Sequence, residues 1–150
     1  MELWLVLIIS IIVIGFALVL LRSVLKNDTG TQEMQKISGA IKEGAEAFLR
    51  RQNKTIAVLA IAVAALLFIL YAFLREKSSA DPVEPLWLAI WTVASFIFGA
   101  ICSAIAGYVG MWSSIRANIR TASAATSSLN KALQIALRGG AVAGLFVVAM

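Results

Sequence analysis

The chain has no histidine, one cysteine and two prolines in 150 residues, and its eight Asp and Glu are outnumbered by thirteen Lys and Arg. Without histidine, neither a Ser-His-Asp triad nor a histidine metal site can form. Cys102 alone supports neither a disulfide framework nor a thiolate-ligated metal centre within one chain. No glycine-rich stretch ends in Gly-Lys-Ser or Gly-Lys-Thr, which excludes the phosphate-loop nucleotide enzymes. The carboxylates are also in the wrong places for ion transport. Glu2, Glu76, Asp81 and Glu84 flank long apolar runs, while Asp28, Glu33, Glu43 and Glu46 fall between the first two. An ion path through lipid normally carries an ionisable residue inside a span, and none of these runs has one.

What the chain does contain is apolar sequence. Hydrophobic residues make up 61% and charged residues 14%, with a mean hydropathy of +0.90, a composition suited to lipid. The first uncharged run, residues 3–21, is long enough at about 1.5 Å per residue to cross a bilayer core of roughly 30 Å. A cleaved signal peptide is the alternative. Glu2 in place of a basic start, the length of the run and the lack of a small-residue cleavage pattern in 22–28 favour a retained helix. A second span covers residues 56–74. A third covers about 86–112 within an uncharged stretch that continues to Ile115; Pro82 and Pro85 precede it, and Trp87, Trp91 and Trp112 read as interface anchors. A fourth run, 139–150, reaches only about 18 Å and is read as the start of a further span. The expected fold is therefore an all-α, polytopic transmembrane helix bundle with three complete spans and the start of a fourth. The half-span at the end makes the amino-terminal part of a longer protein the simplest expectation.

The net charge of +5 does not argue for nucleic acid, because the basic residues sit beside the apolar runs instead of forming one stripe. They orient the chain instead. The connection 22–55 holds seven Lys and Arg, the connection 116–138 holds four, and the loop 75–85 holds two. Short basic connections stay inside, so both long connections are expected in the cytoplasm, with the amino terminus and the loop 75–85 outside. Within 22–55, Met34, Ile37, Ile41, Ala45 and Phe48 recur at helical spacing, with Thr29 and Gln32 as a candidate capping box. No proline interrupts residues 32–74, so one helix is expected to leave the bilayer and project into the cytoplasm; a helix lying on the membrane surface is the alternative.

The third span places Gly99, Ser103 and Gly107 on one face, with Gly110 and Ala106 one face over. Small residues at this spacing let helix backbones approach, so helix packing is the expected role and a thin wall beside a permeation path the alternative. The small-residue run TASAATSS, residues 121–128, fits either a packed helix start or a loop. Arg116, Asn118 and Arg120 follow the third span and Arg138 precedes the fourth run. They read as positive-inside anchors, with positive potential toward an anionic substrate as the alternative. Arg50 and Arg51 are expected to meet acids of later segments or lipid phosphates.

Three blocks, EGAEAFLRRQ (43–52), GAICSAIAGYVGMWSSIRANIRTA (99–122) and SLNKALQIALRGGAVAG (128–144), resemble in sequence and order the amino-terminal part of the membrane-bound, ion-translocating pyrophosphatases. The resemblance covers the chain from about Met34 onward. It implies a large helical enzyme, a homodimer when complete, that hydrolyses cytoplasmic pyrophosphate with Mg2+ and exports H+ or Na+, with K+ a second candidate cofactor. In that family an inner ring of later helices carries the magnesium pyrophosphate site, and the first four helices belong to an outer ring. No catalytic, cofactor-binding or metal residue is expected in this chain. A non-catalytic membrane scaffold is the alternative from another class. A small oligomeric channel would need more polar residues than Ser10, Thr92, Ser95 and Ser103.

Overall fold

The computed structural model describes residues 2–75 and 83–150; Glu76, Lys77, Asp81 and Pro82 of the expected outer loop lie outside them. Among the described residues every regular element is helical. They are α1 (Glu2–Leu25), α2 (Gln32–Ile69), α3 (Pro85–Ala125) and α4 (Leu129–Ala149), with α2 widening into a π turn over Leu70–Leu74. All four helices are long and apolar enough to cross a membrane.

The uninterrupted helix expected from residue 32 to residue 74 is present, 43 residues long. Its start differs from the expectation. Thr31, not Thr29, is the cap, its hydroxyl accepting from the Met34 amide at 3.3 Å, while Thr29 accepts from the Gln35 side chain. A cap must stand immediately before the first helical residue, and Gln32 is that residue. Helix α3 runs ten residues past Ile115 to Ala125, so most of the TASAATSS segment is helix. Thr126 and Ser127 then turn the chain with their hydroxyls donating to the carbonyls of Ser123 and Ala124. Ser128 caps α4, accepting from the Lys131 amide.

Helix α4 therefore begins at Leu129, ten residues before the uncharged run at Gly139, and is 21 residues long. Ala132, Ile135, Gly139, Val142 and Phe146, at alternating spacings of three and four, form its buried stripe. That periodicity crosses Lys131 and Arg138, which a search for charge-free runs passes over.

The chain divides into two compact units. In the first, residues 1–49 and 105–150, α1 lies along α4. Ala17, Val142 and Phe146 form one cluster with Ile14, Leu20, Leu21, Val109 and Leu145 packed on it. Nearer the other end, Val24 packs with Ala117, Ala124, Ala132 and Ile135, so the last turns of α3 join the pair. Ala17, Ala117, Ala124 and Ala132 are small, which lets helices come close in lipid, where burial of apolar surface alone supplies little drive. In the second unit, residues 50–104, each helix shades a single stripe. On α2 it runs through Ala60, Ala64, Leu67, Phe68 and Tyr71, and on α3 through Leu88, Ala89, Thr92, Val93 and Phe96. Ile56, Leu59, Ile61, Leu66, Trp87, Trp91 and Phe98 are exposed, as side chains that face lipid would be.

Candidate functional site

The sequence-predicted basic residues of the first unit meet at one end of it, where α1 finishes, α3 finishes and α4 starts. A helix end leaves carbonyls without partners and carries partial negative charge, so cations and amide donors collect there. At the end of α1, the Asn27 side chain donates to the carbonyls of Ser23 at 2.8 Å and Val24 at 3.1 Å. The chain then turns through Gly30 in the left-handed region, φ +74°, where a Cβ would run into the Met34 sulfur and the Ser123 side chain.

Arg120 reaches across from α3 and donates through Nε to the Asn27 carbonyl at 3.2 Å, and through Nη1 to the Arg116 carbonyl at 2.8 Å. It thus closes the end of α1 with a cation while tying α1 to α3. Arg116, one turn earlier, donates to the Trp112 carbonyl and lays its guanidinium 3.7 Å from the centre of the Trp112 ring. One turn beyond Arg120, Ser123 donates to the Asp28 carboxylate at 3.3 Å. From α4, Arg138 donates to the Ser23 hydroxyl at 2.9 Å. Next to it, Gly139 lies so close to Ala117 that a Cβ at Gly139 would overlap the alanine methyl.

Arg116, Arg120 and Arg138 are thus brought to one end of the unit, each on a partner within the protein, while Asn118 is exposed and takes no part in these bonds. The small residues divide in the same way. Gly110 faces Ala143 at ordinary contact distance and Ala106 is buried. Gly99, Ser103 and Gly107 are exposed, and a Cβ at either glycine would meet nothing within 4 Å. Ser23, Asn27, Asp28 and Ser123 were missed in the sequence. The Asn27 and Gly30 pair just past an apolar run was a usable helix-stop signal.

This arrangement supplies donors to the carbonyls at the end of α1 and ties α1 to α3 and α4. Among the described residues no group of three Asp, Glu, His or Cys could hold a metal ion.

The family model described as inorganic H+ pyrophosphatase matches residues 11–150. The chain belongs to this family. Over its whole length it is 47% identical to a K(+)-insensitive pyrophosphate-energized proton pump of Caldanaerobacter subterraneus subsp. tengcongensis, covering 21% of that protein. Over 97% of its length it is 45% identical to pyrophosphate-energized membrane proton pump 3 of Arabidopsis thaliana, covering 18% of it. Over 94% it is 48% identical to K(+)-insensitive pyrophosphate-energized proton pump 2 of Moorella thermoacetica, again covering 18%. This pyrophosphatase-family chain therefore spans about one fifth of the length of the curated relatives it matches.

Proposed function

We propose that this chain is the amino-terminal, outer-ring part of a membrane pyrophosphatase that couples hydrolysis of cytoplasmic pyrophosphate to proton export. Its agreement over nearly its full length with pumps named for pyrophosphate-energised proton transport carries this reading. In it, α1 to α4 are supporting helices of the cell membrane, with the amino terminus outside and both basic connections in the cytoplasm. That the ends of α1 and α3 meet through Arg120, Asn27, Ser123 and Asp28 supports a shared side for those connections. Magnesium is assigned to residues outside this segment, and the complete pump to a homodimer. The potassium insensitivity in two of the relatives' names is extended to this protein.

Inside-out membrane vesicles test the proposal. With magnesium and pyrophosphate outside, the lumen should acidify, the gradient should collapse with a protonophore, and removing potassium should leave the rate unchanged. Hydrolysis accompanied by sodium uptake alone would change the assigned ion. The absence of both hydrolysis and ion uptake would favour a non-catalytic membrane scaffold, the reading in line with the lack of convergent carboxylates among the described residues.

A further inference from the structure

Three apolar stretches of the first unit end at one level. The run in α1 stops at Arg22, the run in α3 stops at Arg116, and the run in α4 starts after Arg138. The bond from Arg138 to Ser23 and the close approach of Gly139 to Ala117 hold these three ends side by side. This is the depth at which headgroup phosphates border the hydrocarbon, and Trp112 beneath Arg116 suits the same depth.

The cations at this level differ in what they meet. Arg116 and Arg120 direct guanidinium N–H groups to backbone carbonyls. Arg22 and Lys26 are exposed on α1 and its end, one turn apart and on one face, adjoining Ser23. Arg138, exposed on α4, reaches the same serine, and Lys131 lies two turns earlier on its face. None of these four has a carboxylate within ion-pair distance; the ion pair among the described residues is Lys42 with Glu46 on α2. Helix α4 has no acidic residue, and the one in α1, Glu2, is at its far end. The Ser23 oxygen accepts from Arg138, but no acceptor among the described residues takes the Ser23 hydroxyl proton. The α1–α4 seam therefore ends in four cations with no ion-pair partner among the described residues and a free O–H donor, while the nearby Asp28 carboxylate accepts from Ser123 on α3.

We infer that Arg138 and the Ser23 hydroxyl it reaches, with the exposed Arg22 next to Ser23 in sequence and Lys26 one turn on, bind a phosphate group where α1 meets α4. A guanidinium pair and a hydroxyl donor suit the tetrahedral oxygens of a phosphate. The level of the site at the end of the apolar runs makes an anionic phospholipid headgroup the source. The inference rests on the membrane-embedded reading of α1 and α4, and not on pyrophosphate hydrolysis.

The test uses the full protein purified in mild detergent and exchanged into nanodiscs of phosphatidylglycerol mixed with phosphatidylcholine. Native mass spectrometry then counts the lipid retained on release. The parent should retain phosphatidylglycerol in preference to phosphatidylcholine. R22Q and R138Q should each lower that retention by about fivefold or more. R22K and R138K should keep most of it, which separates lost charge from lost folding. Lys36→Gln removes the same charge from the exposed face of α2 and should leave retention unchanged. Equal retention in R22Q, R138Q and the parent, with all three folded, would overturn the site. Retention of inorganic phosphate by the delipidated protein, with no preference for phosphatidylglycerol, would overturn the lipid source. Lipid counting needs no turnover, so it stands or falls separately from the pump assignment.

Discussion

Residues 2–25 and 105–150 bury alanine, valine, glycine and isoleucine against one another, and one end of them is tied by arginine hydrogen bonds. Residues 50–104 are just as apolar, yet among the described residues there only Ala64 and Ala89 are buried, and most large side chains are exposed. Both regions satisfy the hydropathy demanded of membrane helices. The contrast separates two properties that composition merges: belonging in lipid, and having a partner in lipid. Small residues on both facing helices let partners come close, as at Gly139 with Ala117 and Gly110 with Ala143. The Gly99, Ser103 and Gly107 face is equally small and exposed, and a Cβ at either glycine meets none of the described residues within 4 Å.

Substitutions at matching positions should separate the regions further. The largest effect is expected for Gly139→Leu. Even a Cβ there overlaps Ala117, so the added side chain must push α4 from α3, costing about 1–3 kcal/mol or abolishing assembly. Reversible unfolding in mixed detergent micelles would read the loss; a stability equal to the parent would mean that α3 and α4 are not in contact there. Next is Arg120→Gln, which removes the cation at the end of α1. A hydrogen bond from a charged donor is worth about 1.5–3 kcal/mol when its acceptor is left unpaired. Hydrogen exchange should rise selectively at the last turn of α1, and protection unchanged at residues 22–27 would refute the capping role of Arg120. The smallest effect is expected for Gly107→Leu, within about 0.5 kcal/mol for the α1–α3–α4 unit measured in the same micelles. A larger loss would put a helix from outside this segment on the Gly99, Ser103 and Gly107 face, restoring the packing role that the sequence pattern suggests.

Much of the architecture was legible in the residues. The uncharged runs located α1, the membrane part of α2 and the first part of α3, and the lack of proline from residue 32 to residue 74 correctly implied one continuous helix. The ends of helices were less legible. The start of α4 was hidden because Lys131 and Arg138 interrupt the hydropathy without interrupting the helical stripe. Thr29 was read as the cap and Thr31 is the cap, since both carry the same hydroxyl and the outcome depends on which residue begins the helix. The candidate site was legible only as a list. Arg116, Arg120 and Arg138 stood out by charge, but Ser23 and Asn27 are polar residues at a helix end with nothing to mark them until their partners are in place.

Family membership and membrane class follow from the order of residues, because hydropathy, helical periodicity and motif spacing are local properties that every stretch of chain carries with it. Which small residues touch, and which arginine meets which helix end, are not local. Arg120 and Asn27 are 93 positions apart and Arg138 and Ser23 are 115. Only the packing of α1 against α4 and the end of α3 gives those pairs a shared position, and with it the cluster of cations where those helix ends meet.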